Sequence, residues 1–223
     1  MARYLVTGAT RGIGRVLVEQ LAPEHDVIAV GRSADALAEL PARERIVADL
    51  SRPADLAARA PGLARLDRLD GVVHCAGMAV RADLADSSVA DWQEYLTLNV
   101  VAAAELTRLL LPALRVAGGA VVLVNSGQGQ SASANSAVYA ASKFALRGMA
   151  DSLRAEEPRL RVTSVYPGRV ATEMQRALRA QEGGPYQPER YLRPETVAGV
   201  IAQVLATPPD AVITEVTIRP AHP

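Results

Sequence analysis

Thr7-Gly8-Ala9-Thr10-Arg11-Gly12-Ile13-Gly14 follows an apolar run, Arg3 to Thr7, and precedes a stretch with helical periodicity, Ile13 to Ala22. A buried strand that turns through closely spaced glycines into a helix is the signature of a dinucleotide-binding βα unit. Gly8 permits the tight turn, Gly12 lets backbone approach a pyrophosphate, and Gly14 lets the helix pack close to the sheet. The helix N-terminus then faces the phosphates, with Thr10, Arg11 and Ile13 beside them. The spacing is G-x-x-x-G-x-G, not G-x-G-x-x-G. Three glycines alone are a weak signal, and a plain glycine-rich turn is the competing reading. Their position after a strand and before a helix makes the signal strong.

Outward from this unit, strand and helix alternate. Strands are predicted over Asp26 to Val30, Arg45 to Ala48, Leu69 to His74, Ala120 to Asn125, Arg161 to Val165 and Ala211 to Ile218. Helices are predicted over Ala34 to Leu40, after Pro53, through Trp92 to Val116, and through Tyr139 to Glu156. Continuous Val/Ile/Leu strands separated by helices predict an α/β fold, a doubly wound parallel sheet of about seven strands with helices on both faces. A length of 223 residues suits one domain serving for both dinucleotide binding and catalysis. Gly183-Gly184-Pro185 and Pro188 mark a flexible segment, and a short substrate loop is expected near residues 172–193. The tail Pro220 to Pro223 is expected to fray.

Composition narrows the function classes. Formal net charge is zero and aromatic residues are 4%, so neither bulk electrostatics nor stacking surface favours nucleic acid. No membrane span and no signal peptide are read: the longest apolar region, Val100 to Leu114, is interrupted by Glu105, Arg108 and Pro112. One cysteine, Cys75, excludes an internal disulfide and suits a reducing cytoplasm. No His/Cys/carboxylate grouping predicts a metal site, and His25 and His222 read as surface residues.

For the cofactor's adenosine ribose, the end of the second strand matters. A 2′-hydroxyl calls for an acid there and a 2′-phosphate for arginine. The segment reads Ala29-Val30-Gly31-Arg32-Ser33, with no acid at either of the deciding positions. Arg32 with Arg11 favours NADP(H); the counter-reading makes Arg32 a solvated side chain in an arginine-rich chain. Asp49-Leu50 follows the third strand, where the carboxylate either accepts from the adenine amino group or caps the next helix.

Of 24 basic residues one is lysine, Lys143. It closes Tyr139-Ala140-Ala141-Ser142-Lys143, which puts phenol and ammonium on one helical face a turn apart. A nearby cation lowers a phenol's pKa and fits Tyr139 for proton transfer at a substrate oxygen while hydride moves at its carbon. Ser126, after the fifth strand, lies where parallel sheets hold ligands and suits the substrate carbonyl. Y-x-x-x-K alone is common, with a surface helix pair as the competing reading; the ordered set of loop, serine and pair is much harder to reach by chance.

At this point the chain resembles the short-chain dehydrogenase/reductase family, in its compact single-domain branch, over essentially its whole length. The family pattern T-G-x-x-x-G-x-G falls on Thr7, Gly8, Gly12 and Gly14, its serine on Ser126 and its Y-x-x-x-K on Tyr139 and Lys143. The resemblance implies a fourth catalytic residue, Asn99, which helps hold a water beside the lysine. It implies that Lys143 also binds the nicotinamide ribose, that Pro167-Gly168 with Val170 and Thr172 contact the nicotinamide, and that homodimers or homotetramers form on the two long helices. There is one departure: the family's N-N-A-G here reads His74-Cys75-Ala76-Gly77. Backbone contacts from Cys75, Ala76 and Gly77 to the adenosine ribose survive this change, and His74 reads as structural or part of the adenosine pocket. Cys75 reads as a small buried hydrophobe.

The leading expectation is therefore an NADP(H)-dependent oxidoreductase that interconverts carbonyl and alcohol, with no nucleic acid or membrane partner. A non-catalytic NADP(H) sensor is the alternative, disfavoured because neither tyrosine nor lysine is lost. A nucleotide-sugar epimerase or dehydratase is disfavoured by glycine spacing and length.

Overall fold

Seven strands hydrogen-bond side by side, all parallel, in the order β3-β2-β1-β4-β5-β6-β7. They are β1 (Arg3–Thr7), β2 (Asp26–Gly31), β3 (Glu44–Val47), β4 (Gly71–His74), β5 (Ala120–Val124), β6 (Arg161–Pro167) and β7 (Glu215–Ile218). The structure, a computed structural model, describes residues 1–221; His222 and the last residue of the expected frayed tail lie outside them. The fold is the doubly wound α/β architecture that the alternation predicts.

Strand alternation feeds two cores. Leu5, Ile28, Val72, Val121 and Val162 point to one face, against α5 (Ala102–Ala117) and α6 (Ala137–Glu156). Val6, Val27, Val73, Val122 and Val165 point to the other, against α1 (Gly12–Leu21) and α8 (Pro194–Leu205). Near-continuous apolar strands are what a sheet covered on both faces requires. Gly14 explains how α1 sits so close: a Cβ there would lie 2.4 Å from the Gly8 carbonyl oxygen.

Several expectations need correction. The helix expected as one piece through Trp92 to Val116 is α4 (Val89–Leu96), a π-helical turn at Thr97–Val101, then α5. The π turn opens the ladder by one residue per turn, a distortion common where side chains must be re-aimed; it carries Asn99. The expected loop near residues 172–193 opens with α7 (Glu173–Gln181), whose Thr172 cap accepts from the Gln175 amide. Its polar composition hides it, since Gln175 is its one buried residue. α8, begun by Pro194 at its first turn, was not expected. The remaining short helices are α2 (Ala34–Ala38), capped by Ser33, and α3 (Leu56–Arg59), reached through a 3-10 turn at Pro53–Asp55. β7 is shorter than its predicted stretch. His25 is not a surface residue: it is half-buried, edge-on to Tyr4 at 5.1 Å between ring centroids.

Candidate active site

Each of the seven strands ends on one cleft of about 910 Å³. Gly8, Arg32, Asp49, Cys75, Asn125, Gly168 and Arg219, each at or within two residues of a strand's carboxyl end, all line it. This is where open parallel sheets bind ligands, because strand ends and helix N-termini converge there. Among the residues singled out in the sequence, Gly8, Thr10, Arg11, Gly12, Ile13, Gly14, Arg32, Asp49, Leu50, Cys75, Ala76, Gly77, Ser126, Tyr139, Lys143, Pro167, Gly168, Val170 and Thr172 line this cleft. Asn99 does not; it lies buried behind the wall.

At one end the glycine loop turns through left-handed conformations, φ +61° at Gly8 and +55° at Gly12. A Cβ on Gly8 would meet the backbone of Ala76 at 2.9 Å, so the two loops touch. α1 has no side-chain cap, and its first-turn amides are left for an anion. These features fit a dinucleotide diphosphate. Arg11 is paired at 3.5 Å with Glu173, with both side chains exposed. Asp49 accepts from the Ser51 amide and hydroxyl at 3.0 and 2.8 Å. Those bonds and the neighbouring Arg32 hold its carboxyl below the usual value. It thus closes its own turn and still lines the cleft.

His74-Cys75-Ala76-Gly77 works differently from an asparagine pair. The Thr7 hydroxyl accepts from the amides of Cys75 and Ala76, both at 3.1 Å, and so ties β1 to the loop after β4. His74 Nε2 lies 3.0 Å from Thr107 Oγ1, which itself donates to the Ala103 carbonyl. The imidazole is therefore the donor, and burial holds it neutral, its pKa down at about 4. His74 clamps β4 to α5. Cys75 is half-buried, and burial pushes its thiol up to about 12.

At the other end, Tyr139 and Lys143 project from α6 beside Ser126. Lys143 is 5% exposed, and its Nζ donates to the Val124 carbonyl at 3.1 Å. Burial lowers its pKa to about 8. One sequence expectation is corrected here. Burial raises the Tyr139 phenol above its ordinary value, while Ser126 and the Arg81 guanidinium pull it down. Lys143 Nζ is 5.8 Å from the Tyr139 ring centroid and is itself desolvated, so Arg81 is the cation acting on the phenol.

The supporting side chains are less visible in sequence. Asn99 Oδ1 accepts from the Met78 amide at 2.9 Å, and its Nδ2 donates to the Met78 carbonyl at 3.1 Å and to Ser142 Oγ at 2.9 Å. Asn125 donates to the Lys143 carbonyl at 3.1 Å and accepts from the Ser126 amide at 2.9 Å, joining α6 to the serine. Arg81, Gln128, Arg169, Gln175, Glu182 and Arg219 also line the cleft. Only their place after strand ends or on the expected substrate loop could have marked them.

The family model for the short chain dehydrogenases matches residues 3–183. The chain belongs to the short-chain dehydrogenase family. Its relatives in that oxidoreductase family include an uncharacterized short-chain type dehydrogenase/reductase of Sinorhizobium fredii, 31% identical over 99% of this chain and 93% of the relative. Among solved structures, a metagenomic short-chain oxidoreductase in complex with NADP matches with a TM-score of 0.80 at 27% identity, covering 99% of this chain and 97% of its own. An alcohol dehydrogenase from Thermococcus sibiricus, complexed with 5-hydroxy-NADP, shares the fold with a TM-score of 0.88 at 23% identity, covering 100% and 98%. No helix of this short-chain dehydrogenase among the described residues is long and apolar enough to cross a membrane, and no group of three or more His, Cys, Asp or Glu side chains among them could hold a metal ion.

Proposed function

We propose that the protein is an NADP(H)-dependent oxidoreductase that interconverts a carbonyl and an alcohol, with the whole chain acting as one cofactor-binding and catalytic domain. One observation carries this reading: Ser126, Tyr139 and Lys143 stand together in a cleft whose other end is the uncapped N-terminus of α1. Bound there, the nicotinamide supplies hydride to the carbonyl carbon or takes it back from the alcohol. The residues manage the oxygen. The Ser126 hydroxyl donates to the carbonyl oxygen and holds it beside the phenol. In the reductive direction Tyr139 gives its proton to that oxygen as the C–H bond forms, and it later recovers a proton from solvent. The Arg81 guanidinium favours the phenolate left behind, and the Lys143 ammonium reaches the nicotinamide ribose hydroxyls. Asn99 holds the Met78 turn and α6 in register, the arrangement behind the proton relay that the family resemblance implies.

Arg11 and Arg32 support NADP(H), because two guanidiniums on the adenosine side suit a ribose 2′-phosphate. Cys75, Ala76, Gly77, Asp49 and Leu50 bound the adenosine, and Pro167, Gly168, Val170 and Thr172 the nicotinamide. The same reading implies a cytoplasmic homodimer or homotetramer built on α5 and α6, where Phe144 and Val116 are exposed; sedimentation checks it.

The deciding experiment pairs fluorescence titration of NADPH and NADH with turnover of Tyr139→Phe. The expected results are tighter NADPH binding, retained binding in the variant, and turnover reduced by about 10²–10⁴-fold. Binding of neither nucleotide, or full activity in Tyr139→Phe, refutes the proposal.

A further inference from the structure

The end of the cleft away from the α1 N-terminus carries an excess of arginine. Glu182, at the C-terminal cap of α7 and 16% exposed, is held by three guanidiniums at once. Arg169 grips it with two bonds of 2.9 Å, Arg81 Nε donates at 3.0 Å, and Arg179 closes the set. Three positive charges on one carboxylate leave two without a counter-charge inside the cluster. Arg81 and Arg169 both line the cleft. Arg81 Nη1 donates to Ser133 Oγ and to the Ala134 carbonyl, just ahead of the helix that carries Tyr139, and both side chains line the cleft. Arg219 adds a further cation on the cleft wall, and its acceptors, the Tyr166 and Ile218 carbonyls and the Gln130 amide oxygen, are all neutral. Of the other acids nearby, Glu173 lines the same cleft but pairs with Arg11 at 3.5 Å, and Asp83 and Asp86 line a second pocket of about 370 Å³ that Arg81 and Glu182 share.

Fastening the C-terminal end of α7 would need one arginine. A carboxylate enclosed by a bidentate arginine and two further guanidiniums has the form of a carboxylate receptor filled by the chain's own side chain. Glu182 is followed by Gly183, whose φ of +70° ends α7 in the left-handed conformation that glycine favours. A second observation lies on the same face of α7. Gln175 is 7% exposed and lines the cleft, and its Nε2 is buried without a hydrogen-bond partner among the described residues. A buried amide donor without an acceptor is costly unless a ligand supplies one.

Resting on the oxidoreductase reading above, we propose that the substrate is a small oxo-acid. Its carboxylate is received by Arg169 and Arg81 in exchange for Glu182, and Gln175 donates to one of its oxygens. Charge and planar geometry then select the substrate, and they hold its carbonyl at Ser126 and Tyr139.

The test is calorimetric titration of NADP⁺-loaded protein with three- to six-carbon oxo-acids and with their methyl esters, alongside inorganic phosphate. Cofactor loading is checked first by fluorescence. The acid of a matched pair is expected to bind at least about tenfold tighter than its ester. Arg169→Met and Arg81→Met should each bring that ratio close to one, and Glu182→Gln, which removes the competing carboxylate, should tighten acid binding. No acid binding, an acid-to-ester ratio near one in the unaltered protein, a ratio unchanged in both arginine variants, or phosphate binding tighter than every oxo-acid overturns the proposal. Protein that takes up no cofactor refutes the oxidoreductase reading itself; protein that takes it up and ignores substrate charge refutes only this inference.

Discussion

Replacing Lys143 by methionine should abolish turnover and yet make the folded protein more stable at neutral pH. Burial brings the Lys143 ammonium from an ordinary 10.5 to about 8, which corresponds to a cost of about 3 kcal/mol for carrying the charge at pH 7. The sign follows from proton binding. Between pH 8 and 10.5 the unfolded chain holds this proton and the folded chain does not, so stability rises with pH across that window. Below pH 8 the whole penalty is present. Methionine removes it but leaves the Val124 carbonyl without the donor that Nζ supplies at 3.1 Å, a loss of about 1 kcal/mol. The net gain at pH 7 is about 2 kcal/mol, or roughly 4–8 °C in Tm for a chain of this length. Urea and thermal denaturation of both proteins at pH 7, 8.5 and 10 measure it. The variant's advantage should shrink as pH rises and vanish or reverse by pH 10. A variant no more stable at pH 7, or an advantage independent of pH, would refute the burial argument.

Three further outcomes are expected. Asn99→Ala orphans the Met78 amide and carbonyl, whose bonds of 2.9 and 3.1 Å it now supplies, and should cost about 2–4 kcal/mol in urea denaturation; a loss under 1 kcal/mol would mean that water takes over both bonds. Cys75, with its thiol pushed up to about 12, should react with iodoacetamide at pH 8 about a thousandfold more slowly than in urea, and rapid labelling of the folded protein would contradict its burial. Arg32→Ala should weaken NADPH binding about tenfold and leave NADH binding unchanged; equal losses for both nucleotides would remove Arg32 from the 2′-phosphate site.

The sheet was legible because its strands are short apolar runs at regular spacing, and every predicted strand is found within a few residues of its expected bounds. The glycine loop, Ser126, Tyr139 and Lys143 were legible as residues of one cleft because their motifs depend on local spacing. What escaped depends on long-range contact or on geometry with no compositional mark. Residues 92–116 read as one apolar periodic helix, and a single π turn at Thr97–Val101 leaves that periodicity nearly intact. α7 buries one polar side chain, so it lacks the apolar stripe that announces a helix. Thr7 meets the β4 loop 68 residues away, and Glu182 meets Arg81 across 101. The effect of Lys143 on Tyr139 was misjudged because sequence gives the pairing of charges and not their burial, and burial dominates both groups.

All seven strands run the same way, and this divides the molecule into two poles with different tolerances. The cleft lies at the pole where strands end. At the opposite pole lie the turns that feed the strands: Pro23 and Glu24 before β2, Gly118 and Gly119 between α5 and β5, and Pro208 to Asp210 on the way to β7. None of these residues lines the cleft. Pro23, Glu24 and Pro208 to Asp210 are exposed, so a fluorophore, an affinity peptide or a surface tether inserted there stands a full sheet's length from the cleft. The pole that holds the cleft is closed to such editing, and the other pole is where the protein can be handled.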